Sequence, residues 1–152
     1  MTSAHLANPL RVVIIGYGLA GSVFHAPLVA STPGMQVAAI VTGNPERQER
    51  ARRDFPSGVI LPTAEDIWRN PSHYDLVVVA TPNRLHVPLG IAAMNAGLPV
   101  VIDKPMAASV ADAEQLIAIS EQTGKLLTVF QNRRWDNDFL TVRQLRDADL
   151  DL

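Results

Sequence analysis

The residues best placed to do chemistry form a glycine loop. Gly16-Tyr17-Gly18-Leu19-Ala20-Gly21 reads G-x-G-x-x-G, directly after the apolar Leu10 and Val12–Ile15 and directly before a helix-like run. So short a pattern carries weight only between a strand and a helix, and it has that setting here. Gly16 permits the sharp turn out of the strand. Gly18 lets a pyrophosphate approach the backbone, and Gly21 lets the helix lie close on the strand. Leu19 and Ala20 complete the loop. The helix that follows aims free N–H groups and its positive dipole end at the phosphates. The implied chemistry is dinucleotide binding. The bland alternative is a buried strand and a glycine turn with no ligand.

The end of the second strand decides which dinucleotide. A carboxylate there bonds the 2′-hydroxyl of NAD and repels the 2′-phosphate of NADP. Val41 and Thr42 occupy the place, and no carboxylate occurs before Glu46. Thr42, Asn44 and the helix start at Pro45 offer donors, and Arg47 lies on the first turn of that helix. The pattern favours NADP over NAD. The alternative is that Thr42 merely caps a turn and Arg47 is a solvated helix residue.

Other polar clusters follow apolar runs. Asp103-Lys104-Pro105 comes after Val100–Ile102. Lys104 precedes a proline, so it cannot start a helix. Its ammonium could bond a substrate hydroxyl, with Asp103 orienting it; otherwise the triplet is an ordinary charged turn. Thr81-Pro82-Asn83-Arg84-Leu85-His86 follows the run ending at Ala80. Backbone groups there and Asn83 could hold a cofactor ribose, while a lone histidine such as His86 is more often structural. Asn132 and Trp135 lie in the segment after Phe130, where an amide and an indole would suit a nicotinamide. Alternatively, that segment is a basic helix entry with Trp135 as a docking aromatic. His5, His25 and His73 have no partner at ligand spacing, so no metal site is expected.

The elements that must position these clusters alternate along the chain. Strands are expected at Leu10–Ile15, Met35–Val41, Val59–Leu61, Asp75–Ala80, Val100–Asp103 and Leu126–Phe130. A helix from Leu19 to about Ser31 should break or kink at Pro27. Asn44 should cap a charged helix reaching about Asp54. Thr63 and Asp66 have capping-box spacing for a short helix through Arg69. Further helices are expected over Leu85–Asn95, closed by Gly97, and from Ser109–Asp112 to Thr123, closed by Gly124. Asp136 or Asn137 should cap a last one running to about Asp147. The alternation predicts an α/β fold, a doubly wound parallel sheet of about six strands with helices on both faces. Ligands of such a sheet sit beyond the carboxyl ends of its strands. The clusters after Ile15, Val41, Ala80, Ile102 and Phe130 lie at those ends.

Composition agrees. The chain has 152 residues, 47% hydrophobic and 18% charged, enough for one domain with a sheet buried on both faces. A net charge of −2 argues against nucleic-acid binding. The absence of cysteine excludes thiolate metal sites and a disulfide scaffold, and is compatible with a cytoplasmic location. Residues 1–9 read as a loose leader without a secretory signal, and no segment reads as a membrane span.

Four segments in order resemble the N-terminal NAD(P)-binding Rossmann domain of the Gfo/Idh/MocA oxidoreductases. They are GYGLAG (16–21), ATPNRLHVPLGIAAMNAGLPVVIDKP (80–105), SVADAEQL (109–116) and VFQNRRWDNDFL (129–140). GSVFHAP and QNRRWDNDFL look most like the NADP-preferring scyllo-inositol dehydrogenase branch. The resemblance implies that Lys104 is the catalytic lysine, with Asp103 standing where the family usually has Glu. It implies that Gly16, Gly18, Leu19, Ala20 and Gly21 carry the pyrophosphate. It places Thr81, Pro82, Asn83 and His86 along the cofactor groove, and Asn132 and Trp135 towards the nicotinamide end.

Family members run to more than twice this length. Their second domain supplies most substrate contacts and an acid/base histidine. By this resemblance, residues 10–147 form the cofactor domain and 148–152 begin the missing substrate domain. The expected function is the cofactor half of a sugar or polyol dehydrogenase, homo-oligomeric at full length. This chain alone should bind NADP(H) and turn over little. The alternative is a non-catalytic NADP(H)-binding or sensing module.

Overall fold

The structure is a computed structural model that describes residues 8–148. Of the expected leader, only Asn8 and Pro9 lie within that range; of the expected second-domain start, only Ala148 does.

Six strands form one all-parallel sheet: β1 (Leu10–Ile15), β2 (Met35–Val41), β3 (Val59–Leu61), β4 (Leu76–Val79), β5 (Val100–Asp103) and β6 (Leu127–Phe130). Their spatial order is β3-β2-β1-β4-β5-β6. The chain reverses direction across the sheet between β1 and β4, which is where such folds open a crevice. The register lines up the carboxyl ends. Leu61 pairs with Val41, Val41 with Ile15, Ile15 with Val79, Val79 with Ile102 and Ile102 with Val129. At the opposite end Arg11 grips Asp75 with three hydrogen bonds of 2.8–2.9 Å, holding that carboxyl below the usual carboxylate range.

Six α-helices surround the sheet: α1 (Ala26–Ser31), α2 (Pro45–Asp54), α3 (Glu65–Arg69), α4 (His86–Asn95), α5 (Val110–Thr123) and α6 (Asn137–Asp147). Alternation along the strands sends successive side chains to opposite faces. Val13, Ile15, Val77, Val79, Val100 and Ile102 pack with Ile67, Ala93, Met94 and Leu116 on the face covered by α3, α4 and α5. Val12, Ile14, Ile40 and Val78 pack with Ala26, Val29 and Ala51 on the face of α1 and α2. No helix among the described residues is long and apolar enough to cross a membrane.

Some local expectations need correction. The break expected at Pro27 takes the form of a change of helix type just before it. Ala20–His25 winds as a π turn, with the Ala26 N–H bonded to the Gly21 carbonyl, and α1 then starts with Pro27 in its first turn. The wider turn takes up the place where Pro27 can donate nothing. Thr63 and Asp66 form no capping box, because Ala64 stands at the helix entry without a side-chain cap. The Thr63 hydroxyl instead serves Glu65, whose carboxyl is held low by its own backbone N–H first and by Thr63 second. Asp136 precedes α6 as expected, but its carboxylate pairs with Arg133 rather than with the helix backbone. Asn44 does cap α2, accepting from the Arg47 N–H at 2.9 Å, and Ser109 caps α5 by accepting from the Asp112 N–H at 3.2 Å.

Candidate functional site

The site grows from the aligned strand ends. Gly16 leaves β1 with φ at 102°, a conformation open to glycine, and its N–H bonds the Val41 carbonyl at 2.9 Å. A Cβ on it would lie 2.5 Å from the Ala80 carbonyl oxygen. Gly21 is more confined still, since a Cβ there would lie 2.0 Å from the Gly16 carbonyl oxygen. These two contacts let the loop fold back tightly over the strand ends. Gly18 differs: a Cβ there would meet only the Arg47 guanidinium, at 3.6 Å. Its bare backbone therefore faces open space beneath a cation.

Beyond these strand ends lies a cleft of about 620 Å³. Gly16, Gly18, Leu19, Ala20, Thr42, Arg47, Thr81 and Pro82 line it, so the segments after β1, β2 and β4 meet as expected, whereas those after β5 and β6 are not part of its lining. Gly21 supports the loop from behind. Asn44 acts on the cleft through the cap that orients the first turn of α2. Tyr17, nearly fully buried, donates to Asp54 Oδ2 at 2.7 Å and has Arg50 5.8 Å from its ring centroid. Burial, and then the Asp54 bond, push its phenol well up from the ordinary value. Tyr17 thus ties the glycine loop to α2, the helix that carries Arg47.

The cleft has a wall the sequence reading passed over. Pro62, Thr63, Ala64 and Glu65 follow β3 and line it. The strand-end rule applied to β3, a strand of three residues, points to them.

Other residues are placed differently from the sequence reading. Asn83 lies in a 3-10 turn, Asn83–Leu85, and is exposed. His86 is 1% exposed and does not line the cleft; it lies behind the wall, its Nε2 2.8 Å from the Thr81 carbonyl oxygen and its Nδ1 2.8 Å from that of Pro105. Lys104 is exposed beyond β5, before a cis Lys104–Pro105 peptide. Asp103 does not reach the Lys104 ammonium; its Oδ1 accepts from the Lys104 backbone N–H at 2.8 Å. Its Oδ2 lies 4.0 Å from His25 Nε2. Sequence reasoning missed His25. The ring is buried against Phe130, centroids 4.4 Å apart, and burial lowers its pKa although Asp103 opposes that shift. No sequence spacing signals this meeting of a helix turn with the ends of β5 and β6. Asn132 and Trp135 line a separate depression with Val101, Thr128 and Phe130, on the part of the sheet that α1 and α2 leave uncovered.

Two features of the cleft fit a dinucleotide. The loop closes so tightly that only glycine suits positions 16 and 21, leaving backbone near the space a diphosphate needs. The Thr81 hydroxyl oxygen is buried with no hydrogen-bond partner among the described residues, in a residue that lines the cleft.

Residues 10–131 match the Gfo/Idh/MocA oxidoreductase family, NAD-binding Rossmann fold. The chain belongs to that family. It is 40% identical over 140 residues to the oxidoreductase YdgJ of Escherichia coli (strain K12), covering 92% of this chain and 39% of that protein. It is 43% identical over 138 residues to the scyllo-inositol 2-dehydrogenase (NADP(+)) IolW of Bacillus subtilis (strain 168), covering 91% of this chain and 37% of IolW. The crystal structure of an NAD-binding protein from Listeria innocua superposes with a TM-score of 0.86 at 30% identity, covering 93% of this chain and 41% of the other. The chain thus spans about two fifths of the length of these Gfo/Idh/MocA relatives, and corresponds to their NAD-binding domain.

Proposed function

We propose that this chain is the NADP(H)-binding domain of a sugar or polyol dehydrogenase. The observation that carries the reading is the Arg47 guanidinium above Gly18, in a cleft whose second-strand end carries Thr42 and no carboxylate. A cation there suits a 2′-phosphate, which a carboxylate would repel. The relative IolW, a scyllo-inositol 2-dehydrogenase (NADP(+)), points the same way.

The nicotinamide of a bound cofactor supplies the carbon that accepts a hydride from the alcohol carbon. The chain's own residues bind and orient. The glycine loop and helix start hold the diphosphate through backbone N–H groups. Thr42, Arg47 and the capped first turn of α2 hold the phosphorylated ribose. Thr81 and Pro82 shape the ribose wall. Lys104 donates a hydrogen bond to the alcohol oxygen, and the proton that oxygen loses as the C–H bond breaks passes to a base outside the described residues. Lys104 is exposed and lies outside the cleft lining, so these residues by themselves do not exclude water from it, and turnover by the chain alone is slow.

The test is calorimetric titration with NADPH and NADH, repeated for Arg47→Ala. Losing a charge-assisted bond should weaken NADPH binding by roughly tenfold to a hundredfold. NADH affinity should move little. Equal losses for the two cofactors would refute the assignment of Arg47 to the 2′-phosphate.

A further inference from the structure

We propose that His86 is a positioning residue that couples the cofactor cleft to the lysine loop. The inference rests on the NADP(H)-binding reading and adds a link between its two halves. His86 opens α4 and is 1% exposed. Its Nε2 lies 2.8 Å from the carbonyl oxygen of Thr81, on the cleft wall after β4. Its Nδ1 lies 2.8 Å from the carbonyl oxygen of Pro105, the residue after Lys104. The ladder between β4 and β5 ends at Val79 and Ile102, short of both loops. Past that point one rigid ring spans the gap.

The ring suits this task because its two nitrogens are held at a fixed separation. A carbonyl only accepts and a neutral imidazole carries a single N–H, so the neutral ring bonds one carbonyl or the other, and both contacts are bonds only with hydrogen on both nitrogens. Both contacts are buried, and a buried carbonyl that loses its donor is costly. With hydrogen on both ring nitrogens, a shift of the Thr81 segment therefore pulls on Pro105. Moving Pro105 carries Lys104 with it through the peptide bond. His86 makes no contribution to the cleft wall, so its influence on a bound cofactor passes through Thr81.

Two substitutions separate the contacts. The Asn amide nitrogen stands where Nδ1 stands, so His86→Asn keeps the Pro105 bond and loses the Thr81 bond. The Gln amide nitrogen stands where Nε2 stands, so His86→Gln does the reverse. NADPH affinity by calorimetry reads the Thr81 side. Amide hydrogen exchange over 103–106 by mass spectrometry reads the lysine side. His86→Asn should weaken NADPH about tenfold with exchange at 103–106 unchanged, and His86→Gln should speed that exchange about tenfold with NADPH affinity held within about twofold.

A merely structural histidine would shift both readouts together in both variants. That result, or no change in either, overturns the proposal. Should neither variant fold, the wild-type chain decides: NADPH at saturation should slow exchange at 103–106, and unchanged exchange there rejects the coupling. Failure of the wild type to bind NADPH defeats the cofactor reading instead, while the exchange of His86→Gln without cofactor still tests the Pro105 bond.

Discussion

Gly18 and Gly21 look alike in the sequence and have opposite surroundings in the fold. Gly21 presses on backbone, and Gly18 faces space shared with a flexible arginine. Alanine at the two positions should therefore act on different observables. Gly21→Ala forces a Cβ against the Gly16 carbonyl, and should cost about 1–3 kcal/mol in denaturant unfolding. Gly18→Ala should leave stability within about 0.5 kcal/mol and weaken NADPH by about tenfold or more. An unchanged NADPH affinity in Gly18→Ala would mean that the diphosphate lies elsewhere. At this scale the sequence was informative, because the roles of glycines follow from backbone contacts that the strand–turn–helix order already implies. Lys104 and Asp103 were legible as types and as neighbours. Their side-chain partners were not, since Asp103 turned to the Lys104 backbone and to His25.

Among elements, the π turn Ala20–His25 is one the sequence did not announce. Pro27 signalled an interruption, and the chain supplies it as a widened turn immediately before the proline. The widened turn leaves His25 buried against Phe130, with Nε2 bonded to nothing among the described residues. Burial lowers the folded-state pKa of His25 from its ordinary 6.5. The folded state then binds fewer protons than the unfolded one. Its stability is complete above pH 6.5, falls as pH drops below that value, and levels off below the folded pKa. Melting temperatures measured from pH 7.5 to 5.5 should show a steeper decline for the wild type than for His25→Gln. Parallel profiles would exclude His25 as the source. Capping signals met a mixed fate, and helix length alone does not sort them, since Asp136 leaves the eleven-residue α6 without a side-chain cap. Asn44 and Ser109 precede helices of ten or more residues whose first turns offer free N–H groups. Thr63 precedes a helix of five, and its hydroxyl found a carboxylate first.

For the molecule as a whole, the sheet is a firm plate and α6 an attachment. α6 has no buried residue and packs chiefly on the 132–135 turn. Its Phe139 and Val142 stay 46% and 58% exposed. Deleting residues 137–152 should therefore shift the melting temperature by no more than about 2 °C, measured by circular dichroism. A fall of more than about 5 °C would show that α6 shares in the core. The converse holds for the strands, where buried valines and isoleucines on both faces make the sheet one cooperative unit.

The sequence by itself determined the alternation of strands and helices, the glycine loop and the polar character of the strand ends. These depend on residue type and short spacing, which local sterics and hydrophobic periodicity fix. Only the tertiary structure decided which strand ends meet, because register and strand order arise from pairing between residues far apart in the chain. It brought the end of β3 into the cleft, put Arg47 over Gly18, set His25 beside Asp103, and withdrew His86 behind the wall. Each of those outcomes is a long-range packing event, and no local pattern encodes the partner.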